Sequence, residues 1–224
     1  MATVLIVGAS RGIGLEFVRQ YTSAGNRVIA THRTPESGAT LRELGAKPIV
    51  LDMVDEGAVL DFGEKMANEK IDVAVINAGV AGPRGQAITS PGGLDFDAVM
   101  HTNVRAPMQL IPILAPALVA ARGKLAVVSS RMGSLSLMTN TANWLYRVSK
   151  AALNAALRTA SLEYGPQGVV CIAFHPGWVR TDMGGGSADI DVKTSVEGMR
   201  RILALANDSS NGKFINYNGE QLSW

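Results

Sequence analysis

The chain has 224 residues, 47% of them apolar and 18% charged, the balance of one globular domain spanning 1–224 rather than of a disordered or fibrous chain. Lys plus Arg number 21 against 19 Asp plus Glu, a net charge of +2, too small to argue for nucleic acid or a membrane surface as partner. The single cysteine, Cys171, excludes an internal disulfide framework and a multi-cysteine metal site. His32, His101 and His175 show no ligand spacing, so no metal is expected.

In chain order, short apolar runs alternate with helical patterns. A strand is predicted over 2–7, then a helix over 13–24 and a strand over 27–31. A helix follows over 37–44, a strand over 47–51, a helix over 56–68 and a strand over 71–77. The segment 96–121 is predicted mostly helical. Its part 106–121 is uncharged and apolar but carries Pro107, Pro112 and Pro116, and it is expected as a buried helix with an irregular start. No membrane-spanning stretch is expected. A strand over 124–129, a helix over 146–164, a strand over 169–174, a helix over 195–207 and a strand over 213–216 complete the pattern. Cys171 falls inside VVCIAF as a small apolar strand residue. The first residues lack a basic lead and a cleavage pattern, so a cytoplasmic location is expected.

Strands alternating with helices predict an α/β fold: a single doubly wound Rossmann-type domain, a mostly parallel sheet of about seven strands with helices on both faces. The strands are continuously apolar, as sheets covered on both faces require. The loosest segment is expected at 183–192, which contains Gly184–Gly186.

The first predicted strand ends in Gly8-Ala9-Ser10-Arg11-Gly12-Ile13-Gly14. Glycines between a strand and a helix permit a sharp turn, close approach of a diphosphate and close helix–strand packing. The following helix offers free N–H groups to an anion. A 2′-hydroxyl would call for an acid after the second strand, a 2′-phosphate for cations. No Asp or Glu occurs from Phe17 through Pro35, whereas Arg33 and Arg11 stand near the expected places, which favours NADP(H) over NAD.

Tyr146 and Lys150 are four apart at the start of a predicted helix and share a face. A lysine cation there is expected to lower the tyrosine pKa and fit it for proton transfer. Ligands of doubly wound sheets bind beyond the carboxyl ends of strands, and that rim collects Gly8, Asn77-Ala78-Gly79, Ser130 and His175-Pro176-Gly177.

This ordered set (GASRGIG, Asn77–Gly79, Asn103, Ser129-Ser130, YRVSK at 146–150 and HPGWVRTDM at 175–183) resembles the short-chain dehydrogenase/reductase family. The closing GKFINYNGEQLSW resembles its C-factor and Sniffer-like carbonyl reductase branch. The resemblance implies that Tyr146 is the acid–base residue, Lys150 a ligand of the nicotinamide ribose, Ser130 a hydrogen-bond partner of the substrate carbonyl, and Asn103 the support of a water linking Lys150 to solvent. It implies that Gly8, Ser10, Arg11, Ile13 and Gly14 line the dinucleotide, that Asp52 and Met53 meet the adenine, and that Asn77, Ala78 and Gly79 back the adenosine ribose. Pro176, Gly177, Val179 and Thr181 would hold the nicotinamide end. Asp52 also fits a helix cap, as do Thr181 and Asp182. Val7 stands where the family often has Thr, and the connection from Ser130 to Tyr146 is longer than usual.

The expected function is therefore NADP(H)-dependent hydride transfer to or from a small carbonyl or alcohol substrate. The alternative is a cofactor-sensing regulatory or signalling protein with little turnover. A sugar-nucleotide epimerase is disfavoured for want of a second region. The apolar segments 96–121 and 146–164 fit a homodimer. The loop after Thr181, poor in large apolar residues, predicts an open site for small or medium aldehydes and ketones.

Overall fold

The computed structural model describes residues 1–85 and 88–224. Strands β1 (Thr3–Val7), β2 (Arg27–His32), β3 (Lys47–Val50), β4 (Val73–Ile76), β5 (Lys124–Val128), β6 (Val170–His175), β7 (Lys213–Asn216) and β8 (Gln221–Leu222) form one sheet in the order β3-β2-β1-β4-β5-β6-β7-β8. The first seven are parallel to their neighbours, and β8 is antiparallel to β7. Seven strands match the expectation. The eighth, two residues long, is too short to leave a pattern; Leu222 pairs with Phe214 and is buried.

Helices α1 (Gly12–Ser23), α2 (Pro35–Glu43), α3 (Glu56–Met66), α4 (Gly93–Met100), α5 (Ala106–Ala121), α6 (Trp144–Tyr164) and α7 (Val192–Leu205) connect the strands. Successive strand residues face opposite ways, so each strand feeds two cores. Leu5, Val7, Ile76, Val127 and Cys171 pack with Phe62 of α3, Leu110 and Leu114 of α5 and Leu157 of α6. Val4, Ile6, Val75, Ile172 and Phe174 pack with Phe17 of α1, Leu41 of α2 and Met199 of α7. This is why the strands read as continuous apolar runs. Cys171 is a fully buried free thiol, which burial pushes up to about 12.

The segment expected to be helical with an irregular start is continuous with α4. A π-helical stretch, His101–Arg105, joins α4 to α5. The irregularity thus lies before Pro107, and Pro112 and Pro116 sit on the exposed face of α5. There their missing N–H groups leave the buried face of the helix intact. The joined helix, Gly93–Ala121, is long and apolar enough to cross a membrane by length and composition, but Leu110, Leu114 and Leu118 are buried in the sheet's core.

In α7, a Cβ on Gly198 would lie 2.1 Å from the Tyr217 carbonyl oxygen. Alanine would improve the helix's intrinsic propensity by roughly 1 kcal/mol, but the backbone approach forces a displacement typical of overpacking, about 1–3 kcal/mol. G198A is expected to lower Tm by several degrees in a thermal melt; an unchanged or raised Tm would show that this contact yields freely.

Candidate active site

The rim at the carboxyl ends of β1, β4, β5 and β6 is fastened largely by backbone bonds. Thr31, at the end of β2, holds the glycine turn: its Oγ1 accepts from Gly8 N–H at 2.9 Å and its carbonyl from Ala9 N–H at 2.9 Å. Asn77 Nδ2 donates to the Gly8 carbonyl at 2.8 Å. A Cβ on Gly14 would stand 2.0 Å from that same oxygen, and one on Gly8 (φ +83°) would stand 2.7 Å from Ala78 Cβ. The turn is therefore packed down on β4. Helix α1 begins with Arg11 as N-cap, with no side-chain cap bond and no acid in the first turn. Its N–H groups are left for an external anion. This uncapped terminus above a glycine cradle fits a dinucleotide diphosphate.

Arg33 is exposed just past β2, beside the turn; among the described residues no ion pair reaches it. Asp52 and the buried Met53 follow β3 on the same rim. Asp52 accepts from Val54 N–H at 3.3 Å. The helix cap is instead Asp55, which accepts from Ala58 N–H at 2.9 Å.

The face of α6 shared by Tyr146 and Lys150 meets the end of β5. Ser130, at the end of β5, stands beside Tyr146 and acts on its phenol; its own Oγ accepts from Met132 N–H at 3.2 Å. Lys150 Nζ lies 5.7 Å from the Tyr146 ring centre. Lys150 is buried and donates to the Val128 carbonyl at 2.9 Å, which leaves two of the ammonium's three donors for another partner. Burial, rather than the lysine cation, dominates the tyrosine: its phenol is pushed up to about 12, with Ser130 pulling the other way. Burial also pushes Lys150 down to about 8. The expected lowering of the tyrosine pKa by Lys150 is thus absent from this structure. A desolvated pair resists carrying charge on either member.

Asn103, fully buried in the π-helical stretch, uses its side chain as a clasp. Oδ1 accepts from Val80 N–H at 2.8 Å, while Nδ2 donates to the Val80 carbonyl at 2.8 Å and to Ser149 Oγ at 2.9 Å. Both amide donors are engaged, and only one lone pair on Oδ1 is free to support a water. Gly79 runs between this clasp and the lysine; its Cβ would sit 3.1 Å from Asn103 Oδ1 and 3.3 Å from Lys150 Nζ.

After β6, Ser195 Oγ donates to the Pro176 carbonyl at 2.6 Å, and Gly177 adopts φ +85°. Val179 forms a bridge with Ile190. Between them the chain makes a strap. Thr181 Oγ1 accepts from Gly184 N–H at 3.0 Å, and Trp178 Nε1 donates to the Gly184 carbonyl at 2.9 Å. Thr181 caps this turn rather than a helix. Gly184 is not loose either, since a Cβ there would meet the Val179 carbonyl at 2.0 Å. Two ties cross the rim: Arg11 pairs with Asp182 at 2.5 Å, and Arg84 donates to the Met183 carbonyl at 2.5 Å. Trp178 and Met183 remain half exposed.

The long connection from Ser130 to Tyr146 is anchored at both ends. Ser136 donates through N–H and Oγ to the Trp224 carbonyl at 3.1 and 2.8 Å, Ser134 Oγ donates to the Ser223 carbonyl at 2.8 Å, and Trp224 stacks on Phe214. Buried Arg147 donates to the Ala142 carbonyl and to Asn140 Oδ1. Leu135 and Met138 stay exposed on this wall.

All the expected site residues lie on or beside this rim. Sequence reasoning missed Thr31, Ser149 and Arg147, and also Asn154, which accepts from Ser129 Oγ at 2.5 Å. Asn154 lies one turn beyond Lys150 on the same face, a spacing that could have flagged it.

Known proteins resemble this chain in sequence and fold. The family described as "short chain dehydrogenase" matches residues 2–191. C-signal of Myxococcus xanthus is 36% identical over 167 residues, 73% of this chain and 98% of that protein. The carbonyl reductase Sniffer of D. melanogaster superposes with a TM-score of 0.91 at 30% identity, with both chains fully covered. A carbonyl reductase from Pseudomonas aeruginosa PAO1, solved in complex with NADP, gives 0.85 at 33% identity, again with both chains fully covered. With the family match spanning most of its length and the rim built as described, the chain belongs to the short-chain dehydrogenase family, among its carbonyl-reductase-like oxidoreductases.

Proposed function

We propose that the protein is an NADP(H)-dependent carbonyl reductase, with Tyr146 as proton donor, Ser130 as carbonyl anchor and Lys150 as ribose ligand. The observation that carries this reading is the convergence of three groups: Lys150 Nζ lies 5.7 Å from the Tyr146 ring centre, and Ser130 acts on the same phenol from the end of β5. The dinucleotide would lie on Gly8, Ser10, Arg11, Ile13 and Gly14, with Asp52 and Met53 toward the adenine, Asn77, Ala78 and Gly79 behind the ribose, and Pro176, Gly177, Val179 and Thr181 at the nicotinamide. Bound there, NADPH supplies the hydride that converts a carbonyl carbon to an alcohol carbon.

Ser130 and Tyr146 present two hydroxyls to one oxygen and steady the charge that develops on it. A phenol held up at about 12 keeps its proton until the substrate oxygen has gained charge, which suits it to donating in the reductive direction. Lys150, with two N–H groups to spare, holds ribose hydroxyls and helps return a proton to the phenolate. Asn103 fixes Val80 and Ser149 around that lysine, and its free lone pair is the place for a relay water. The exposed Leu135, Met138, Trp178 and Met183 offer apolar cover beside the loop after Thr181, and they favour an apolar aldehyde or ketone.

A signalling role without turnover is the second reading, favoured by the name of the relative C-signal. The intact trio of Ser130, Tyr146 and Lys150 weighs against it. Tyr146→Phe keeps the packing but removes the proton, so it is expected to bind NADPH and lose about 10²–10⁴-fold in kcat. Near-native turnover in that variant would remove Tyr146 from the chemistry.

Cofactor choice rests on Arg33 and Arg11. Native protein is expected to favour NADPH over NADH in kcat/KM, and Arg33→Asp to reverse or abolish the preference. Equal kcat/KM for the two cofactors before mutation would defeat the arginine argument.

Lys150 is cationic below about pH 8 and neutral above it. The profile of kcat/KM for NADPH reports the free protein. It should be level at neutral pH and fall above pH 8 toward about tenfold per unit as the ribose-binding cation is lost; a level profile from pH 7 to 10 would contradict this role.

A further inference from the structure

Arg11 has two claimants. It is one of the two cations placed to meet a 2′-phosphate, yet its Nη1 donates to Asp182 Oδ2 at 2.5 Å. The residues are 171 positions apart and belong to different loops, the glycine turn after β1 and the strap after β6. The strap presents the acid to the turn by independent contacts. Thr181 Cγ2 lies 3.4 Å from where Gly12 would carry a Cβ, Thr181 Oγ1 closes the turn onto Gly184 N–H, and Arg84 holds the Met183 carbonyl. Both members of the ion pair are highly exposed, with side chains 77% and 74% accessible. Such a pair is weak and open to exchange.

We infer that Asp182 is a specificity-determining residue for the dinucleotide: an internal anion that occupies Arg11 and is displaced by the 2′-phosphate. This rests on the NADP(H) reading above. A 2′-phosphate, carrying up to two charges and three acceptor oxygens, can outcompete one carboxylate for a planar guanidinium. A 2′-hydroxyl cannot, so an unphosphorylated nucleotide leaves the pair intact. Asp182 therefore weakens phosphorylated nucleotides selectively and narrows the preference that Arg11 and Arg33 create. Displacement also removes one of the strap's two ties across the rim. The phosphate at the adenosine end is thereby linked to the segment over the nicotinamide end.

The test is calorimetric binding of two fragments, 2′,5′-ADP and 5′-AMP, which differ only in the 2′-phosphate, to the native protein, Asp182→Asn, Arg11→Gln and the double variant. Asp182→Asn is expected to tighten 2′,5′-ADP about two- to fivefold, the scale of an exposed ion pair, and to leave 5′-AMP unchanged. Arg11→Gln should weaken 2′,5′-ADP, and the gain from Asp182→Asn should vanish in the double variant. Equal gains for both fragments, or a gain that survives loss of Arg11, would mean that only the general field of the carboxylate changed, and would overturn the inference. Native protein that binds both fragments equally would overturn the NADP(H) reading together with it. A native preference for 2′,5′-ADP with no tightening in Asp182→Asn would overturn the inference alone. Both sites are exposed, so matching thermal melts will show that the variants fold as the native chain does.

Discussion

A lysine ammonium buried beneath a glycine backbone, with one carbonyl acceptor, is held at a cost in this structure, and the site is arranged around it. Lys150 falls from an ordinary 10.5 to about 8 through burial alone. Keeping it protonated at neutral pH therefore costs the fold about 3 kcal/mol relative to solvent. The sign is that of a cation with a depressed pKa. The cost is fully felt below about pH 8 and fades between there and the unfolded value, because the unfolded lysine stays protonated longer. Nothing in the packing of α6 needs a charged residue at this point. A Leu in its place would bury apolar surface at no such cost, so the position is explained by what the ammonium's unused donors can hold.

That lysine is useful only because the parallel sheet brings distant segments to one edge. Asn77, Ser130 and Pro176 are far apart in the chain, but β4, β5 and β6 are neighbours running the same way, so their carboxyl ends deliver these residues to adjacent places. This much was legible in the sequence. Apolar runs marked the strands, and glycines, Asn and Ser at their ends marked the rim, because such residues have little use in the interior of a doubly covered strand. Tyr146 and Lys150 were legible through helical spacing only in company with those rim residues, since the spacing alone is common by chance.

The residues that make the rim rigid were not legible, since each depends on a partner unrelated to it by period. Asn103 is a clasp because Val80 and Ser149 happen to converge on it. The π-helical stretch that carries it is a slip in hydrogen-bond register, which residue type does not encode. Asp52 and Asp55 are equally good caps by composition, and only the path of the chain after β3 decides in favour of Asp55. The direction of the Tyr146 shift was misjudged for a related reason. Spacing shows that a cation is near, but it does not show how much water both groups lose, and here desolvation outweighs the charge.

The site therefore divides into two classes of contact with different physical lifetimes. Backbone-anchored bonds such as Thr31 to Gly8 and Asn77 to Gly8 are shielded, and an unmade buried bond is expensive, so they hold the turn in one shape whatever occupies it. The ties across the mouth are of the opposite kind: Arg11 to Asp182 is almost fully hydrated and is screened by salt over a Debye length of about 8 Å. A ligand rich in phosphate can replace the second class without disturbing the first. An acid on the strap rather than on the turn makes the exchange consequential: it places the competing charge on a different loop from the arginine it holds, so that recognition of one end of a long ligand would be felt at the other.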